Sequence, residues 1–524
     1  MDIHQRLQQN TGEKSRTEYS AKNTMVAMIA RVLAILLGFC NRVVFTHTLT
    51  EEYVGVNGLF TDILNVLALS ELGIGTAITY ALYKPIAEKN IEKQKSLMGL
   101  YKQFYRIVGG IILVAGLCVI PFIGFLVNEE TQVGNLTFLY LMFLANSVFS
   151  YFWIYKRTLI DAHQMSYIGV VYQTMSWVLQ NALQMLVLIT TKNFVLYLAV
   201  MIMCTLLNNI CISRRADRMY PYLRDKQIEP LPKEEKQSIY QNIRAMLMHK
   251  VGNVVVNNTD NLLLSVMVGI VSVGMYSNYF LVIGSITQVF NQTFQGITAS
   301  VGNLGVEKSK EREKTVFEAA FFVGQWMFGF AAICLFELLS PFVKLSFGAQ
   351  YVFSVEITFV LCMNFYLNGM RQPTLVFRDS MGLFRYDRYK SLVEAFINLV
   401  ASIILGYYFG TIGIFIGTIC STVTTSLWVE PYMLYKHRLQ IPVRSYFGRY
   451  GVYFLVTGVV WWITNMLCSH VPGGIWNQLV LRMLICLTVP NLLYLLVYGR
   501  SKEFKFVLQK VKSILIRWTK KTRK

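Results

Sequence analysis

The sequence predicts an all-α polytopic membrane protein of about fourteen transmembrane helices, two parallel six-helix repeats followed by a C-terminal helix pair. Three observations carry that prediction. Of 524 residues, 54% are hydrophobic and 15% charged, against about 25% charged in soluble chains. The apolar residues gather into runs near the roughly 20 residues that one bilayer crossing needs. Most cations fall in the connections between those runs. An ordinary soluble enzyme is excluded. So is a nucleic-acid binder: the net charge of +20 is dispersed among the connections, where it meets anionic lipid first.

The elements follow in order. Residues 1–23 carry Arg6, Glu13, Lys14, Arg16, Glu18 and Lys22, too polar for a cleavable signal peptide, so the N-terminus is expected in the cytoplasm. Six candidate spans come next: 24–46, 58–82, 103–127, 135–156, 167–190 and 193–213. A polar loop, 214–242, separates them from six more at 246–268, 274–303, 317–343, 353–376, 391–409 and 412–434. A last pair, 451–469 and 477–499, leads into a basic tail. In that tail Phe504, Val507, Leu508, Val511, Leu515 and Trp518 recur at helical spacing, as in an interfacial helix. The expected organisation is an N-terminal lobe and linker (1–240), a C-terminal lobe (241–440) and a final segment (441–524).

Charge sets the orientation. With the N-terminus inside, the inner connections receive Lys84, Lys89, Lys93, Lys95 and Lys102, then Lys156 and Arg157, the clusters at 214–244, 308–314, 378–390 and 436–449, and the tail. The outer ones receive Lys192 and Lys344. Both termini are therefore expected in the cytoplasm. The nine Cys lie almost entirely within apolar runs and show no CxxC or CxxxH spacing, so neither a disulfide framework nor a zinc site is indicated.

A shift of about 219 to 220 positions aligns Arg31 with Lys250, Gly55 with Gly274, and Pro121-Phe122 with Pro341-Phe342. Each pair occupies the same place in its half. Six spans restore direction, so the repeats are parallel, an arrangement that puts a site at the repeat interface.

Ionisable groups at bilayer depth are costly and mark pathways. Arg31 and Arg42 in the first span lie eleven residues apart, about 16 Å along one helix face. They line one wall or, alternatively, snorkel to opposite surfaces. In the seventh span Lys250, Asn253, Asn257 and then Asp260 or Asn261 form a polar stripe that lipid would reject. Further stripes are Gln288, Asn291, Gln292 and Gln295; Asn364, Asn368 and Arg371; and Gln173, Gln180 and Gln184. The second span holds Asp62 near its outer end and Glu71 near its middle, followed by Gly73 and Gly75, which allow either a hinge or a packing notch. Glu394 and Asn398 read as a local hydrogen bond, and His249 as an interfacial residue. There is no GxSxG, GxxxxGK[ST] or HExxH, so neither catalysis nor a Walker-type ATPase is indicated. No cofactor is expected beyond a coupling ion, H+ or Na+.

The blocks EEYVGVNGLFTDILNVLALSELGIGTAITYALYKPIAEKN (51–90), HKVGNVVVNNTDNLLLSVMVGIVSVGMYSNYF (249–280) and ITASVGNL (297–304), on a layout of six, six and two spans, resemble the bacterial polysaccharide flippases of the multidrug/oligosaccharidyl-lipid/polysaccharide exporter superfamily, of O-antigen, capsule or teichoic-acid type. The resemblance implies a cell-membrane transporter that moves a lipid-linked glycan to the outer leaflet, with polysaccharide polymerase machinery as a possible partner. It implies that spans 1, 2, 7 and 8 line a cationic cavity opening alternately to each side, and that spans 13 and 14 shape a groove for the lipid tail. Arg31, Arg42, Lys250, Asn253 and Asn257 are the expected substrate-binding residues; Asp260, Asp62 and Glu71 are the expected ion-coupling ones. A multidrug cation exporter would favour an acidic, aromatic pocket. A membrane glycosyltransferase or polymerase would favour a large outer loop, and the outer connections are short. A structural scaffold leaves the charges within the spans unexplained.

Overall fold

The structure, a computed structural model, describes residues 16–68, 74–127, 133–225, 229–237, 239–240, 259–307, 310–381, 383 and 389–522. No strand occurs among the described residues, as expected where lipid forces each backbone amide to find its partner within its own helix. Two compact units divide the chain, Met1–Gly274 and Met275–Lys524.

The first unit holds α1 (Arg16–Thr48), α2 (Glu51–Leu67), α3 (Ile74–Ala87), α4 (Ile91–Val119), α5 (Leu136–Ser150), α6 (Tyr155–Ala162), α7 (Ser166–Thr191) and α8 (Phe194–Met219), and the start of α9 (Ile270–Glu307). The second continues α9 and adds α10 (Lys310–Ser346), α11 (Val355–Ser380), α12 (Lys390–Phe409), α13 (Thr411–Ser421), α14 (Leu427–Leu434), α15 (Arg444–Ser469), α16 (Ile475–Tyr498) and α17 (Lys502–Thr522).

Among the described residues nine helices are long and apolar enough to cross a membrane, and a tenth crossing is the pair α5 and α6, bent by 41°. The helices are compatible with the fourteen expected crossings; four further described segments, α2, α3, α7 and α11, overlap expected spans without meeting that test. Of these, α7 and α11 carry amide and charged stripes read from the sequence, which lowers their hydropathy.

The repeat is written into the helix boundaries. The starts of α2 and α9, α4 and α10, and α5 and α11 differ by one register: 51 and 270, 91 and 310, 136 and 355. Side-chain caps recur with it. Asn135 Oδ1 accepts from Phe138 N at 3.1 Å, and Ser354 Oγ accepts from Ile357 N at 3.5 Å, each satisfying an orphan donor of a first turn.

Amides and aromatics hold the first unit together. Buried Asn41 of α1 donates to Asn181 Oδ1 at 2.9 Å and Gln184 Oε1 at 3.0 Å, joining α1 to α7. One turn on, Phe45 packs edge-on against Phe194 and Tyr197. The linker after α8 is pinned to the start of α4: Lys93 pairs with Glu235 at 2.7 Å, Lys95 with Asp225 at 2.8 Å, and Tyr222 donates to Gln94 at 2.7 Å. The hydrogen bond to Asp225, then that to Glu92, holds the Lys95 ammonium above the ordinary lysine value. In the second unit the tail helix α17 lies under α10, with Phe504 stacked on Trp326 at 5.8 Å.

Candidate functional site

In the first unit a cavity of about 510 Å³ opens among α3, α4 and α6. Thr79 and Tyr83 line one side, Tyr101 and Tyr105 the second, Arg157, Thr158 and Asp161 the third. The hydroxyls form a chain, with Thr158 donating to Tyr101 and Tyr101 to Tyr105, both at 3.1 Å. Arg157 Nε lies 3.6 Å from Asp161 Oδ2, and its guanidinium reaches Gln173 at 3.5 Å. Gly169 gives Arg157 its place, since a Cβ there would lie 2.7 Å from Arg157 Nε. Asp161 Oδ1 is buried with no hydrogen-bond partner among the described residues, leaving an acceptor for a hydroxyl. Hydroxyls, aromatic faces and one ion pair suit a sugar bearing an acidic group.

This cluster escaped the sequence reading, which put Arg157 in an inner connection. The chain breaks between α5 and α6 without Gly or Pro, and Trp153 takes φ 65° there. A bulky residue in that region is a genuine outlier. Only the i,i+4 pair Arg157 and Asp161 signalled a helical restart.

The expected site residues divide as follows. Arg31 is exposed on α1; Arg42 is half-buried, its guanidinium 6.0 Å from the centre of the Phe45 ring. Asp62, on α2, is half-buried and accepts from Asn261 Nδ2 at 2.5 Å and, within its own helix, from Asn65 at 3.5 Å. No cation forms an ion pair with Asp62 among the described residues; amides hold it. Neighbouring Asp260 is 8% exposed, so the second span and the stripe of the seventh do meet. Lys250, Asn253, Asn257 and Glu71 lie outside the described residues.

Close by, α2 and α9 touch backbone to backbone. A Cβ at Gly55 would overlap the Ile270 carbonyl oxygen, and one at Gly274 would lie 2.9 Å from Glu51 O and 3.1 Å from Gly55 N. The two glycines matched by the repeat are the two that meet.

In the second unit Arg371 of α11 makes a forked pair with Glu430 of α14, at 2.8 and 3.2 Å. It also reaches Glu394 of α12 at 3.3 Å and Asn368 at 2.9 Å. Lys390 closes the ring on Glu430 at 2.5 Å and Glu394 at 3.1 Å. Glu394, expected in a local hydrogen bond with Asn398, is thus a member of an interhelical ion cluster, and Asn398 donates to Thr418 at 3.1 Å. Two cations and two carboxylates balance, which marks a clamp already satisfied within itself.

Solved structures with the same fold are flippases and exporters. A lipid II flippase MurJ in an inward closed conformation matches with a TM-score of 0.65 at 12% identity, over 91% of this chain and 98% of that one. An inward-facing multidrug resistance MATE family transporter of the MOP superfamily matches with 0.59 at 16% identity, over 79% and 98%. An outward-facing one gives 0.53 at 12%, over 81% and 96%. No curated protein sequence matches the chain significantly. The class is thus a multi-pass helical protein with the fold of the multidrug/oligosaccharidyl-lipid/polysaccharide exporter superfamily. The chain belongs to the polysaccharide biosynthesis protein family, whose sequence profile matches residues 20–298, more than half of its length.

Proposed function

We propose that this protein flips a lipid-linked oligosaccharide of polyprenyl diphosphate type from the inner to the outer leaflet of a bacterial plasma membrane, by alternating access and without catalysing a reaction. The observation that carries the proposal is the hydroxyl-lined cavity with Arg157 on its wall, in a chain of this family. A diphosphate and glycan need a wet, cationic, hydrogen-bonding path, whereas the polyprenyl tail can stay in lipid. Arg157 binds acidic groups of the head, Thr158 and the tyrosines its hydroxyls. Arg31, Arg42 and Lys250 extend the cationic path, and Asn253 and Asn257 add amides to it. Both termini lie in the cytoplasm, and the delivered glycan is handed to polymerase machinery outside.

The test is translocation in vesicles of a polyprenyl-diphosphate oligosaccharide, read by its accessibility to an external lectin. Arg157→Gln is expected to slow it at least about tenfold through the lost charge-assisted hydrogen bonds, and the double variant Arg31→Gln, Lys250→Gln to abolish it. Wild-type rates in both variants would remove the cationic path. Movement of an organic cation instead of the glycan would establish the exporter reading.

Coupling is assigned to the carboxylates Asp260, Asp62 and Glu71. At Asp260, substrate arriving at Lys250 competes for that cation and loosens its hold on the carboxylate, so an ion enters as the glycan leaves. Asp260 is the favoured carrier because it shares a stripe with Lys250. Under an imposed proton or sodium gradient Asp260→Asn is expected to lose the stimulation that wild type shows; an unchanged response would clear Asp260 of the role.

A further inference from the structure

Two adjoining cavities in the unit Met275–Lys524 take no part in the path above. One, of about 260 Å³, is an apolar slot among α10, α11 and α15, walled by Phe336, Phe359, Phe454 and Trp461. Phe359 and Phe454 are 37% and 41% exposed, so the slot opens to lipid. The other, of about 180 Å³, brings the polar side chains of Glu337, Ser340, Thr358, Asn465 and Arg482 together with apolar Phe336, Pro341 and Val355. Phe336 lines both, so the slot and the chamber adjoin across one side chain.

That chamber holds opposite charges without joining them. Glu337 is 4% exposed and accepts from Asn465 Nδ2 at 2.9 Å. Arg482, from α16, acts on Glu337 electrostatically but forms no ion pair with it among the described residues, and its buried Nε has no hydrogen-bond partner there. Cys468, Cys362 and Cys486 are further titratable groups near the carboxylate. An anion alone meets Glu337, and a cation alone meets Arg482; a ligand carrying both charges satisfies the pair. A polyprenyl diphosphate would leave Glu337 buried against like charge.

We propose that this pair of cavities binds one phospholipid with a zwitterionic primary-amine head group, its acyl chain in the slot, its phosphate on Arg482 and its ammonium on Glu337. Three hydrogens on the ammonium match Glu337 and the neighbouring hydroxyls in a way that a quaternary amine does not.

Native mass spectrometry of the purified protein tests this without any glycan present, so its outcome is separate from the flippase proposal. The probes are phosphatidylethanolamine, phosphatidylglycerol, phosphatidylcholine and polyprenyl phosphate. Wild type is expected to retain one phosphatidylethanolamine with about tenfold preference over the others. Glu337→Gln should remove that preference, and Arg482→Gln should lower retention of every phospholipid. Gly458, where an added Cβ meets nothing within 4 Å, lines the slot; Gly458→Leu should expel the chain while both charges stay in place. Equal retention of phosphatidylglycerol or phosphatidylcholine by wild type, an unchanged preference in Glu337→Gln, or full binding by Gly458→Leu overturns the proposal. Displacement of the phospholipid by polyprenyl phosphate would assign the slot to the substrate tail and overturn it too.

Discussion

Arg371→Met is expected to destabilise the protein by about 3–5 kcal/mol, the usual cost of removing one partner from a buried ion cluster. Glu430 is 0% exposed, Glu394 4% and Lys390 8%. Without Arg371, two carboxylates share the single ammonium of Lys390, and the forked pair at 2.8 and 3.2 Å is lost. The excess negative charge then sits in low dielectric among α11, α12 and α14. The double variant Arg371→Met, Glu430→Met removes one charge of each sign and leaves Lys390 beside Glu394 at 3.1 Å, so it is expected to recover much of the loss. Thermal unfolding in detergent of the two single variants and the double one closes the cycle. A double variant no more stable than Arg371→Met would show that packing around the guanidinium, not charge balance, holds this region.

That cluster also shows how far the sequence could be read. The bilayer makes fold class legible, because an apolar run of spanning length has to become a helix, and the single register behind Gly55 and Gly274 reappears in the helix starts at 51 and 270. Polar stripes were legible for the same reason. Their partners were not. Arg371 stood out beside Asn364 and Asn368, yet nothing in its own span points to Glu430, which lies 59 positions away. Nothing around Asp62 points to Asn261, 199 positions on, which donates to it. Arg157 was hidden by a break in the fourth span that no Gly or Pro marks. Periodicity encodes which face a residue occupies, whereas a site depends on which helices bring their faces together.

Gly55→Leu is expected to reduce glycan translocation at least about tenfold while the protein remains folded in the membrane. In the orientation proposed above the start of α2 lies at the outer side, and α2 meets the start of α9 with no side chain between them. Alternating access requires these ends to part and rejoin. They can part around a leucine, but they cannot rejoin, because already its Cβ would overlap the Ile270 carbonyl oxygen, a backbone atom with no rotamer to change. The variant should therefore accumulate open at the outer end. Gly274→Leu should act in the same direction, since a Cβ there lies 2.9 Å from Glu51 O and 3.1 Å from Gly55 N. Gly110→Leu is the control: an added Cβ at Gly110 meets nothing within 4 Å, and translocation should be unchanged. A cysteine placed at Thr50, in a background lacking the native cysteines, reports the state directly through its reaction with a membrane-impermeant maleimide. Labelling should rise in Gly55→Leu and Gly274→Leu and stay at the wild-type level in Gly110→Leu. If Gly55→Leu translocates within about twofold of wild type, or labels no faster, closure of α2 on α9 is not a step of the cycle.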